Sequence, residues 1–298
     1  MELLSKLVPI AMLTFVVSSM LAVGLSLTFG QILAPLRNRR LVSFALLANF
    51  VLMPLAALVI ARLLRLDEPL EIALLLLGAA SGAPFLPLLA RIAKGNLAFA
   101  VGLMVLLMVV TVGYMPLVLP LLLEGVSVDP LKIGRSLVLL MLIPLAIGLL
   151  VKARLNVVAA RLQPALSRVS TLSLALLIIL LLATNIQNVV SLFGTRGIAA
   201  SIVFIAAGSG IGWILGGRPD TKGVSALGTA QRNIAAALVV GGQNFTDSRV
   251  VVMVVVVAIV GLLLLMPLAR FLARKLPGAD TGSAGPALVG DGQRGRGR

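Results

Sequence analysis

The chain has 298 residues, of which 60% are hydrophobic and only 12% charged, with a mean hydropathy of +1.14. Soluble domains carry about 25% charged residues, so this composition excludes an ordinary water-soluble domain and calls for a lipid bilayer. The net charge of +15 would suit a nucleic-acid binder if it were gathered on one face, but the basic residues sit in short clusters between apolar runs, so nucleic acid is not an expected partner. There is no His and no Cys, which removes the usual proton shuttle near neutral pH, the usual metal ligand and any thiolate. No paired carboxylates lie inside an apolar run, so acid–base catalysis lacks candidates and an enzyme is not expected.

A membrane span needs about 20 apolar residues. Nine segments meet this in chain order: 7–30, 40–64, 69–92, 96–123, 131–153, 165–190, 196–217, 222–244 and 248–273. The first is too long for a signal peptide and lacks a clear small-residue cleavage site. The fold class is therefore all-α membrane protein, with a transmembrane domain over residues 1–276. Residues 277–298 are Gly-rich and aperiodic and read as a disordered basic tail.

Nine spans put the termini on opposite sides. With the N-terminus outside, seventeen Lys and Arg residues fall on the cytoplasmic side and seven on the outer side, the remaining one being Arg232 inside a span. The positive-inside bias favours N-terminus out and C-terminus in, as an integral protein of the plasma (inner) membrane. Arg91 and Lys94 read as topology charges of the inner face that could also attract anions.

Two spans are interrupted. Gly78-Ala-Ala-Ser-Gly-Ala-Pro-Phe-Leu-Pro87 carries two prolines within one turn, and each removes a backbone donor. Gly228-Thr-Ala-Gln-Arg-Asn233 places Arg232 in an apolar stretch, where an Arg costs roughly 2.5–3.5 kcal/mol on insertion scales. Each interruption precedes a Gly/Asn turn, Lys94-Gly-Asn96 or Gly242-Gln-Asn244, and then a long span closing with Met-Pro-Leu. The two copies enter the membrane from opposite sides. Paired interruptions in an inverted repeat mark the central site of secondary transporters. The candidate crossing residues are Asn49, Pro84, Pro87, Thr229, Gln231, Arg232, Asn233, Gln243 and Asn244.

Gly24-Leu-Ser-Leu-Thr28, Asn49-Phe-Val-Leu-Met-Pro54, Glu71-Ile-Ala73, Ala90-Arg-Ile-Ala-Lys-Gly-Asn96 and Gln231-Arg-Asn-Ile-Ala-Ala-Ala237, in this order and spacing, resemble the bile acid:sodium symporters over roughly residues 7–275. The resemblance implies a panel domain (7–64 and 131–217) and a core domain (69–123 and 222–273). It implies broken helices three and eight crossing at mid-membrane, and a cleft between panel and core that takes a small organic anion such as a bile acid or carboxylate. It also implies sodium ligands at positions where this chain has Leu86, Pro87, Ala100, Met104, Gly228 and Arg232. A further position carries Asn49, the one conservative replacement. The implied carboxylate is absent and a cation has been gained, so no cofactor is expected and sodium coupling is not. Arg232 is expected to stand in the space of the ion, bridging the carbonyl ends of the two broken helices. The alternatives are a sodium-coupled symporter with altered sites and a channel or receptor-like membrane protein.

Two weaker motifs have plainer explanations. Gly208-Ser-Gly-Ile-Gly212 lacks a preceding strand and reads as small-residue helix packing rather than a nucleotide loop. Asn244-Phe-Thr246 matches a glycosylation sequon by chance.

Overall fold

The computed structural model describes residues 2–33, 38–123, 129–184 and 196–275. The expected tail, 277–298, lies outside them. All regular elements among the described residues are helices. They are α1 (Glu2–Ser26), α2 (Arg39–Leu63), α3 (Glu68–Ala79), α4 (Leu86–Ile92), α5 (Leu97–Leu122), α6 (Pro130–Arg154), α7 (Asn156–Thr184), α8 (Gly197–Leu215), α9 (Pro219–Ala230), α10 (Ile234–Asn244) and α11 (Ser248–Lys275). A short helical segment, Phe29–Leu33, follows α1.

Seven of these are long and apolar enough to cross a membrane: α1, α2, α5, α6, α7, α8 and α11. The other two predicted spans are each split, 69–92 into α3 and α4 and 222–244 into α9 and α10. The predicted span 165–190 starts too late. Its helix begins at Asn156, because only Leu155 separates it from α6 and the basic first turns stay helical with exposed Arg161 and Arg168. Positions 185–190 lie outside the described residues.

Small residues set the closest helix approaches. Gly24 of α1 and Gly148 of α6 face each other so tightly that a Cβ on either would come within 2.9 Å of the other's Cα. On α8, a Cβ at Gly208 would sit 2.7 Å from Ala230 Cα, and one at Gly212 would sit 2.3 Å from Ser225 O, both on α9. Gly210, between them, faces open space. Backbone contact of this kind supplies the dispersion energy that apolar surface cannot supply in lipid.

Two continuous helices carry π-turns, Ala48–Leu52 in α2 and Val138–Leu142 in α6, each followed by a proline, Pro54 or Pro144. The first has a chemical consequence. Met53 N–H bonds Ala48 O, and Pro54 has no N–H, so the carbonyl of Asn49 is left without a helical donor.

The glycine pair on α8 allows a direct check. Gly212→Ala is expected to lower the melting temperature of the detergent-purified protein by several degrees, because the methyl must displace the α9 backbone. Gly210→Ala should leave it unchanged or raise it, since Ala is favoured over Gly by about 1 kcal/mol in a helix and meets nothing there. Equal effects would contradict this packing.

Candidate functional site

The two broken segments meet at their breaks. The α3 helix stops at Ala79 and the chain stays unwound through Ala80–Phe85 before α4; α9 stops at Ala230 and α10 starts at Ile234. Asn233 N–H donates to Ala80 O at 3.0 Å, joining one break to the other. The Asn233 side chain serves both. Its Oδ1 caps α10 by accepting from Ala236 N–H, and its Nδ2 donates to Gly82 O at 3.1 Å and Ser81 O at 3.4 Å. Gly82 has φ +81°, and a Cβ there would lie 2.2 Å from Met108 N, so only glycine fits.

Arg232 lies at the centre, with 3% of its surface exposed. Its Nε donates to Leu77 O at 2.8 Å. One terminal nitrogen donates to Asn49 Oδ1 at 2.8 Å and to Thr229 O at 3.1 Å. The other donates to Gly78 O at 2.7 Å and to the freed Asn49 O at 3.4 Å. A guanidinium has five N–H groups, and these five bonds use all of them. Leu77 and Gly78 end α3 and Thr229 ends α9, so the cation sits where the negative ends of two helix dipoles converge. Among the described residues no carboxylate pairs with it. Backbone carbonyls and one amide do the work of a counterion.

The surrounding polar groups close a network. Asn49, fully buried, donates through Nδ2 to Ala45 O and Thr229 Oγ1 and accepts from Ser81 Oγ at 2.8 Å. Thr111 Oγ1 accepts from Ser81 N–H at 2.9 Å and donates to Ser81 O at 3.0 Å. Tyr114 donates its hydroxyl to Phe50 O, the carbonyl four residues before Pro54. Buried backbone groups must find partners, and here almost every carbonyl of the first break has a named one.

The predicted residues fall into three groups. Asn49, Thr229, Arg232 and Asn233 come together at the crossing. Pro84, Pro87 and Gln231 line a cleft of about 870 Å³ beside it. Gln243 and Asn244 do not belong to the crossing: they end α10 a helix length away. There Gln243 O accepts from Lys132 Nζ at 2.7 Å, Gln243 Oε1 accepts from Ser136 Oγ, and Asn244 Nδ2 donates to its own helix. The prolines also act differently from expectation. Pro87 occupies the second position of α4, where a missing N–H costs nothing, and the carbonyls in need of donors lie upstream, at Leu77–Gly82.

Leu86, Ala100, Met104 and Gly228 are buried apolar positions. A Cβ at Gly228 would lie 2.9 Å from a Leu86 methyl, so the leucine fills the room that a side chain there would need.

The cleft runs between α1, α7, α11 and the crossing, from Gln231 and Arg232 to Gln31, Arg91 and Gln163 near helix ends. Among the described residues no acidic residue lines it. Gln231 Oε1 is buried without a partner among the described residues. Ser81, Thr111 and Tyr114 were not singled out from sequence, and neither was the polar strip Gln163, Ser167, Ser170 and Thr171 on α7. The helical spacing of that strip in an apolar span was the available signal.

Two broken helices meet beside a cleft, within a bundle of helices long and apolar enough to cross a membrane, the architecture that the resemblance to a membrane-transporter family implies. The comparisons with known proteins agree. A model of the sodium bile acid symporter family matches residues 12–192, more than half of the chain, and the chain belongs to that family. The match ends before α9, so the Arg232 segment lies beyond it. Among curated relatives, the human hepatic sodium/bile acid cotransporter is 29% identical over 160 residues, covering 51% of this chain and 45% of the relative. The rat hepatic protein is 29% identical over 156 residues, covering 50% and 43%. A probable chloroplastic sodium/metabolite cotransporter of Oryza sativa subsp. japonica is 30% identical over 132 residues, covering 44% and 32%. The chain thus matches less than half the length of these relatives.

Arg232→Met is expected to leave Leu77 O, Gly78 O and Asn49 Oδ1 buried without donors, a loss on the order of 3 kcal/mol or more. Arg232→Lys keeps the charge with three donors and should lose less. Thermal melting in detergent ranks the three proteins; a methionine variant as stable as the parent would contradict a clamping role.

Proposed function

We propose that this protein is a secondary transporter moving a small organic anion by alternating access, and that it does so without sodium. The observation that carries this reading is the five-bond seat of Arg232. Where the family resemblance implies sodium ligands, this chain has a guanidinium held by Asn49 and three helix-end carbonyls, and a Leu86 methyl against Gly228. The residues present do not fit a bound sodium ion: the carbonyls are occupied, the carboxylate is missing and a fixed positive charge repels a second one. Arg stays protonated, so the two half-helices are held together permanently rather than when an ion binds.

The same charge favours anionic cargo, because its field acts across a cleft that no acid lines among the described residues. Gln231 lines the same cleft and adds a side-chain amide to its wall. The panel (α1, α2, α6, α7, α8) and core (α3–α5, α9–α11) would rock against each other around this cleft. With the N-terminus outside and the C-terminus in the cytoplasm of a plasma membrane, the cleft opens inward. The outer side is then closed by Lys132 and Ser136 of α6 against Gln243 of α10.

Uptake of a radiolabelled organic anion into proteoliposomes tests the coupling. Flux should survive complete replacement of sodium by choline; an uptake that collapses in choline would sink the reading. The absence of native cysteine makes topology equally testable. A single Cys at Thr246 should react with an impermeant maleimide added outside cells, and one at Arg274 only after permeabilisation, with the reverse pattern overturning the orientation.

A further inference from the structure

We infer that Arg91, not Arg232, is the residue that binds the charged group of the cargo. This rests on the organic-anion reading above.

Among the described residues two cations line the cleft, Arg91 and Arg232. All five N–H groups of Arg232 are spent on protein acceptors, so it contributes field but no hydrogen bond to a ligand. Arg91 is the opposite case. It is exposed on the last turn of α4, and among the described residues no acceptor or carboxylate engages its guanidinium. It lies five residues beyond Leu86 at the start of α4, about 7.5 Å at a rise of 1.5 Å per residue. Its fork of donors matches a carboxylate or sulfonate in a bidentate way.

The local turn separates Arg91 from its basic neighbour. Lys94 N–H donates to Arg91 O at 3.2 Å, Gly95 N–H donates to Ala90 O at 2.9 Å, and Lys94 takes φ +53°. That left-handed turn closes α4, and Lys94 does not line the cleft while Arg91 does. As topology charges the two would be equivalent; as cleft residues they are not. Phe15, Leu88 and Val101 line the same cleft, so the cargo is an anion that also carries an apolar body.

The test uses the purified full chain, a panel of carboxylates from pyruvate to cholate, and the variants Arg91→Gln, Arg91→Lys and Lys94→Gln. Ligand-induced thermal shifts give relative affinities. For each carboxylate that shifts the parent, Arg91→Gln should weaken binding roughly tenfold or more, the scale of one charge-assisted hydrogen bond. Arg91→Lys, which keeps the charge but not the fork, should bind between the parent and Arg91→Gln, and Lys94→Gln should bind as the parent does. The ligand-free melting temperatures should coincide, since Arg91 is exposed. Unchanged binding by Arg91→Gln, or equal losses in Arg91→Gln and Lys94→Gln, overturns the assignment while leaving the organic-anion reading standing. A parent that no carboxylate shifts overturns both.

Discussion

The fold at the centre of this protein depends on one cation holding two helix ends that would otherwise be unsatisfied. A helix that stops inside a membrane leaves carbonyls pointing into a medium without water, and each is costly. Here two helices, α3 and α9, stop beside one another with their dipoles converging on Arg232. Arg232 meets Leu77 O, Gly78 O and Thr229 O together, so the cost of burying a charge and the cost of burying open carbonyls offset each other. Neither would be tolerable alone. The unwound segments need Arg232 to exist, and Arg232 needs them to be buried.

The rest of the site follows from that clamp. Asn49 links α2 to the crossing through Arg232, Thr229 and Ser81, and its own carbonyl is available because the π-turn before Pro54 releases it. Asn233 locks the second break onto the first. The clamp's donors are all used within the protein, while Gln231 and the exposed Arg91 line the cleft beside it.

Much of the architecture was legible from sequence because lipid imposes a length rule on apolar segments and a cost on polar ones. Arg232 stood out on that cost alone, and Gly208 and Gly212 were readable as helix packing from their spacing. The reading failed where different surroundings look alike in one dimension. Gln243 and Asn244 end a helical segment much as Gln231 and Asn233 flank one, yet Gln243 sits against α6 and Asn244 on its own helix, while Asn233 is at the crossing and Gln231 beside it. Pro87 looked like a helix breaker and is a helix starter, since the same missing N–H is harmful in an interior turn and harmless in a first one.

What the sequence determined by itself was the medium, the number and rough limits of the apolar segments, the two interruptions and the presence of a buried cation between them. These follow from composition and local periodicity, which any stretch of chain carries within itself. Only the tertiary structure decided what the cation bonds. Leu77 O, Gly78 O and Asn49 O are backbone atoms more than 150 residues away, and carbonyls are common to every residue, so no side-chain pattern announces them. The sequence shows that a charge must be satisfied; packing alone shows that it is satisfied completely, by acceptors of the protein itself.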